Sequence, residues 1–267
     1  MLPRNPPRAY ALTIAGSDSG GGAGIQADLR AFASQEVFGL SAITAVTAQN
    51  SQAVSAVQVQ SLRVIRAQID AVCADFPVSA IKTGMLATRA IVRLVARQAA
   101  ARANLPWVID PVMIATSGAA LLAADAQRSV RDELLPRATL LTPNIPEAEA
   151  LLGRRVRGLK DMEPAARELL RLGPQAVLLK GGHMRGSEVV DLYLDASGGR
   201  EFRAPRQRFN GHGTGCTLAS LCAARLALGE PRARAVENAV LAFRRALASG
   251  VSVGRGAVYV PYPLREA

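Results

Sequence analysis

Late in the chain, Gly213-Thr214-Gly215-Cys216 precedes a run in which Leu218, Leu221, Cys222 and Leu226 recur at spacings of three and four. That spacing predicts a helix with one buried face and puts the glycines at its N-terminus. Backbone N–H groups without intrahelical partners point outward at such an end, and the helix dipole adds partial positive charge. The chemistry available there is to hold an anion and to stabilise the charge on a phosphoryl group in transfer. Cys216, in the first turn, stands where a thiolate is favoured. The plainer reading of the same residues is a tight turn before an ordinary helix with a buried cysteine.

A second glycine cluster lies near the start. Residues 17–24 hold four glycines between an apolar run at 11–16 and a helical pattern at 25–35. Strand, glycine loop and helix is how many phosphate sites begin. Neither GxGxxG nor GxxxxGK[ST] occurs, so the dinucleotide fingerprint and the P-loop are absent. The glycines would instead let backbone lie close against a flat substrate. Other chemistry-bearing residues follow short apolar runs: Gln49-Asn50, Gly84-Met85, Asp110, Asn144 and Lys180. Asp110 and Glu147 are carboxylates that together could hold a magnesium ion. Singly they also read as an Asp-Pro turn and a helix N-terminal acid. Lys180 is one of only three lysines in an arginine-rich chain, and before Gly181-Gly182 it could reach a phosphate as a point charge. His183 and His212 have no acid or nucleophile at a telling spacing, which leaves them structural roles or roles supporting the residues that touch a ligand.

The elements that must position these residues alternate. Strands are expected at 11–16, 41–47, 54–59, 78–82, 107–109, 140–141 and 176–179. Helices are expected at 25–35, 64–74, from the cap Thr88 to 101, from Glu147 onward, at 216–228 and at 233–249. Residues 189–194 and 201–204 read as a hairpin turning at Gly198-Gly199. This order predicts an α/β fold, a mostly parallel central sheet between two helix layers. Ligands then gather at the carboxyl ends of the strands, where the residues named above fall. No composition break divides residues 10–267, which are expected to form a single domain behind a flexible Pro- and Arg-rich tail at 1–9.

The 267 residues are 49% hydrophobic, which suffices for a large core, and no run is long enough to span a bilayer. The net charge of +11 raises a nucleic-acid reading. The arginines are scattered, however, and at 4% aromatics the stacking platforms for single strands are missing. Three cysteines, without metal spacing, and no signal-like start fit a reducing cytoplasm.

Seven stretches, in order, carry a resemblance: ALTIAGSDSGGGAGIQADL (11–29), TAVTAQN (44–50), KTGML (82–86), DPVM (110–113), LTPNIPEAE (141–149), LLKGGH (178–183) and HGTGCTL (212–218). They resemble the ribokinase-like superfamily, and within it the bacterial hydroxymethylpyrimidine/phosphomethylpyrimidine kinases of thiamine biosynthesis. The resemblance implies a three-layer α/β/α sandwich, a homodimer, and transfer of the ATP γ-phosphoryl group to 4-amino-5-hydroxymethyl-2-methylpyrimidine and then to its monophosphate. It gives Cys216 the role of accepting or orienting the substrate hydroxyl proton, and Gly213, Thr214 and Gly215 the anion hole. Gln49 matches the reader of the aminopyrimidine edge; Asp28 and Met85 match other substrate-pocket positions, and Gly16 and Ala23 are placed in the same pocket. Lys180, Asn144 and Thr214 fall to the nucleotide, and Asp110 and Glu147 to Mg2+. Thr116 stands where the family often has lysine, and Gly211 where it often has threonine. The alternatives are a pyridoxine or pyridoxal kinase of the same fold and, in a different class, a basic nucleic-acid-binding protein without catalysis.

Overall fold

A computed structural model describes residues 7–115, 118–207 and 211–260. The elements, in chain order, begin with β1 (Ala9–Asp18), α1 (Gly24–Ser34), β2 (Val37–Gln49), β3 (Val54–Val59), α2 (Leu62–Asp75), β4 (Ala80–Thr83), α3 (Arg89–Ala101) and β5 (Trp107–Ile109). A short α4 (Ala126–Ser129) runs on through a π turn and a 3-10 turn to Arg137. There follow β6 (Leu140–Leu141), α5 (Ile145–Leu152), α6 (Leu159–Arg171), β7 (Ala176–Leu179), β8 (Glu188–Asp195) and β9 (Gly198–Pro205). The chain closes with β10 (Gly211–His212), α7 (Thr214–Ala227), α8 (Arg232–Ala248), β11 (Val251–Val253) and β12 (Ala257–Tyr259).

Among the described residues, nine strands form one sheet in the order β3-β2-β1-β4-β5-β6-β7-β8-β9. The six from β2 to β7 are parallel, and antiparallel strands flank them: β3 on one edge, β8 and β9 on the other. The central strands are buried on both faces and read as continuous apolar runs, as parallel strands do. Successive side chains therefore enter opposite cores. Ile109, Leu141, Val177 and Leu179 join Ile65 of α2, Ile91 and Val95 of α3, Leu151 of α5 and Leu169 of α6. Val108, Leu140, Ala176 and Leu178 join Phe32 of α1, Leu218 and Leu221 of α7 and Val240 of α8. Sheet between two helix layers is the expected sandwich, ribokinase-like in class.

Local chemistry fixes the helix starts nearest the sheet edge. Thr88 Oγ1 accepts from Ile91 N at 3.3 Å and caps α3. Asn144 and Glu147 cap α5 reciprocally: Glu147 N donates to Asn144 Oδ1 at 2.9 Å and Asn144 N to Glu147 Oε2 at 2.8 Å.

Three expectations are corrected here. Ala9, assigned to a tail at 1–9, is already in β1 and pairs with Val37, while residues 1–6 lie outside the described residues. The β8–β9 turn falls at Ala196-Ser197, where Asp195 Oδ1 accepts from Ser197 N at 2.8 Å; Gly198 instead opens β9 at φ 142°. The α6 helix was not foreseen, because it opens at Gly158 without a side-chain cap and contains Pro164.

Candidate active site

The carboxyl ends of the parallel strands open into one cavity of about 640 Å³. Gly16, Ala23, Gln49, Met85, Asp110, Asn144, Glu147, Lys180 and all of Gly213 to Cys216 line it. One residue expected in this pocket does not. Asp28 is fully buried below the floor, held by three other side chains. Thr116 lies outside the described residues.

The two glycine clusters meet backbone to backbone. Gly213, the residue before α7, adopts φ 71°, and a Cβ on it would stand 1.8 Å from Gly22 O. Gly24, at φ 57°, would put a Cβ 2.3 Å from Gly16 O. Only glycine fits either position. The first turns of α1 and α7 thereby open side by side onto the cavity, where the free amides at the start of α7 could hold an anion.

Cys216 sits half-buried on the cavity wall, one helical turn before Ser220. Gly24 and Asp28 occupy the matching pair of positions on α1. Ser220 Oγ donates to Asp28 Oδ1 at 2.7 Å, Thr13 Oγ1 donates to Oδ2 at 2.6 Å, and Lys82 Nζ donates to both oxygens at 2.8 and 2.9 Å. Burial alone would lower the Lys82 pKa; the neighbouring carboxylates, Asp28 above all and then Asp110, outweigh it and raise it. The expectation of a thiolate at Cys216 is overturned. Burial pushes its thiol up to about 11, against the pull of Lys82, so it is protonated at neutral pH.

Lys180 Nζ donates to Asp110 Oδ1 at 2.9 Å, and Thr142 Oγ1 reaches the same oxygen at 3.2 Å. A Cβ on Gly215 would stand 3.2 Å from Lys180 Nζ, which puts the ammonium against the start of α7. Glu147 is pushed up to about 7 by burial, with Lys180 opposing and Asp110 adding to the rise. Among the described residues no group of three or more His, Cys, Asp or Glu side chains could hold a metal. Two carboxylates on a cavity wall, one of which a cation would help to ionise, nevertheless fit magnesium, which keeps most of its water and takes further oxygens from phosphate.

His212 also lines this cavity, although no spacing pointed to it. Its Nε2 lies 2.9 Å from Asp18 Oδ2 and 3.1 Å from Gln49 Nε2. Asp18 also accepts N–H groups from Gly20, Gly22 and Ala23 at 2.8 to 3.1 Å, tying the first glycine loop. Burial would raise its pKa, but the His212 contact and the amides of Ala23 and Gly20 hold it below the ordinary value.

The profile of the phosphomethylpyrimidine kinase family matches residues 18–261. The chain belongs to that family. The hydroxymethylpyrimidine/phosphomethylpyrimidine kinase of Rhizobium meliloti is 45% identical over 259 residues, covering 94% of this chain and 96% of that one. A thiamine biosynthesis bifunctional protein, ThiED, of Geobacter sulfurreducens is 44% identical over 252 residues, covering 94% of this chain and 51% of that protein. Among solved structures, an ADP complex of Bacillus subtilis pyridoxal kinase superposes with a TM-score of 0.87 at 33% identity, over 94% of this chain and 96% of that one. Phosphotransfer from ATP in thiamine biosynthesis is thus the activity of the family to which the chain belongs.

Within the family frame, two unforeseen residues complete the site, Lys82 and His212. Lysine's rarity in this chain, the signal that singled out Lys180, applied equally to Lys82. His212 is as rare, one of two histidines, but its partner Asp18 lies 194 residues away, so no spacing pointed to the pair.

Proposed function

We propose that this chain transfers the γ-phosphoryl group of ATP to the hydroxymethyl group of 4-amino-5-hydroxymethyl-2-methylpyrimidine, and then to the resulting monophosphate. The observation that supports this most is the meeting of the α7 amide cradle, Lys180 and the Cys216 thiol on one cavity wall, with Gln49 on the same cavity. Lys180 and the amides of Gly213 to Gly215 bind the migrating phosphoryl group and stabilise its charge. Asn144 and Thr214 flank the nucleotide. Asp110 and Glu147 hold Mg2+, which when bound neutralises charge on the nucleotide phosphates. A loose transition state asks little of a base, so Cys216, as a thiol, orients the hydroxyl and keeps water off it. Gln49 and Met85 receive the pyrimidine, with Gly16 and Ala23 as flat wall. Asp28 acts from beneath the floor, holding Lys82.

Cys216→Ala is expected to lose most of its turnover with little change in nucleotide affinity. Unchanged turnover would remove the thiol from the mechanism.

A pyridoxal kinase reading has one observation in its favour, the close superposition on the Bacillus subtilis enzyme. ATP consumption with each alcohol separates the two, and a strong preference for pyridoxal would overturn the pyrimidine assignment. The kinase acts as a homodimer, for which exposed Val46 and Val57 on the edge hairpin and Leu62 and Val64 on α2 offer apolar surface; sedimentation as a monomer at micromolar concentration would refute it. Its three unpaired cysteines and the lack, among the described residues, of a helix long and apolar enough to cross a membrane suit the cytoplasm.

A further inference from the structure

The Gln49 amide is contacted at both ends. Its Oε1 lies 3.3 Å from Thr47 Oγ1 and its Nε2 lies 3.1 Å from His212 Nε2. Thr47 has one proton to give, and Ser17 O, which can only accept, is the nearer partner at 3.0 Å. Thr47 Oγ1 therefore offers Gln49 only lone pairs. On the other side, the Asp18 oxygen facing His212 already accepts from Gly22 and Ala23, as an anionic carboxylate does. His212 Nε2 must carry its proton toward that oxygen, so it has no lone pair for Gln49. With the amide nitrogen toward His212, two donors would face each other. Which amide atom is oxygen is decided by this counting. The network is satisfied when nitrogen faces Thr47 and oxygen faces His212, whose proton is shared between Asp18 and Gln49.

The ring of His212 cannot easily move to relax this. It packs edge-on to Tyr259 with centroids 5.3 Å apart. It also lies so close to Gly22 that a Cβ there would stand 2.2 Å from His212 Cδ2.

Resting on the aminopyrimidine reading above, we infer that the Asp18–His212 pair fixes the polarity of the Gln49 amide and so selects a ring edge bearing an amine over one bearing a carbonyl. Oxygen on the His212 side keeps a lone pair for an exocyclic amine. Nitrogen on the Thr47 side keeps a hydrogen for the adjacent ring nitrogen. A 4-oxo ring presents the reverse pattern, a carbonyl beside a ring N–H. It could match only by turning over, which moves its hydroxymethyl group to the opposite side. Asp18 and His212 are positioning residues in this scheme; Gln49 touches the ligand.

The test uses the full chain with 4-amino-5-hydroxymethyl-2-methylpyrimidine and its 4-oxo counterpart. Wild type should favour the amine by about tenfold or more in kcat/KM, because the oxo ring leaves buried polar groups unpaired. His212→Phe frees the amide to turn, and the preference should fall to about threefold or less. His212→Gln again presents an N–H to Asp18 and should retain most of it. A Phe variant that is slower on both rings yet keeps the wild-type preference would show a packing role only and overturn the proposal. Should that variant fail to fold, the ring 15N shifts of His212 in the wild-type protein decide instead. A protonated Nε2 supports the assignment; an unprotonated one refutes it. If Gln49→Ala leaves the preference intact, the amide is not the reader and the proposal falls. If wild type neither binds nor phosphorylates either ring, the functional reading fails instead, while the 15N measurement still judges the hydrogen-bond assignment.

Discussion

Two lysine–aspartate pairs stand at this cavity with almost the same geometry, 2.8 Å for Lys82–Asp28 and 2.9 Å for Lys180–Asp110. They differ in what surrounds them. The first has both side chains at 0% exposure, and Thr13 and Ser220 take up the carboxylate's remaining capacity. In the second, Lys180 is 11% exposed and stands against the α7 amides. A buried pair of this kind adds little net stability over an apolar replacement, but losing one partner strands a charge. One pair ties β1, β4, α1 and α7 together; on the proposed function the other presents a cation to the phosphates.

The distinction can be broken most forcefully at Lys82. Lys82→Met leaves the Asp28 carboxylate buried without its partner and should lower unfolding stability by about 3–5 kcal/mol, read from the urea midpoint. A loss below about 1 kcal/mol would mean that the pair does not lock the layers. Lys180→Met should act on rate: kcat with ATP is expected to fall about 10²–10³-fold, with a smaller shift of the midpoint than at Lys82. Equal destabilisation by the two variants would erase the difference claimed between them.

The smallest effect sharpens the second pair's surroundings. Glu147 ionises near pH 7 in the folded chain against an ordinary value of 4.5, because burial disfavours its charge. Its contribution is complete below pH 4.5 and is lost as the pH rises through 7. Glu147→Gln keeps the acceptor that caps α5 but cannot ionise. The variant's stability relative to wild type should therefore grow between pH 4.5 and 7, by at most ~3 kcal/mol. A difference that stays flat with pH would show that Glu147 titrates normally. Added Mg2+ should stabilise wild type more than the variant at pH 7.

Much of this molecule was legible in its residue order. The short apolar runs at 107–109, 140–141 and 176–179 are the strands as observed, because a strand buried on both faces announces itself by apolarity alone. Thr88 marked its helix start correctly, since capping is local chemistry, whereas α5 begins at Ile145, two residues before the expected Glu147, behind an Asn144 cap that was not read as one. The small sheet of β10, β12 and β11 was not visible: its strands are two or three residues long, and β10 pairs with a strand more than forty positions later. The protonation of Cys216 was read wrongly for a related reason. A helix N-terminus favours a thiolate, but burial among Asp28 and Asp110 counts for more, and burial is not written beside the cysteine.

The pattern of apolar runs and glycines by itself determined an alternating sandwich and which strand ends would meet, since both follow from periodicity and steric limits of a few adjacent residues. The folded chain alone decided that one lysine is fully buried and another slightly exposed, that Asp28 faces Lys82 instead of the cavity, and that His212 reaches Asp18. Those outcomes depend on dielectric surroundings and on contacts between groups far apart along the chain, quantities that exist only once the layers have packed.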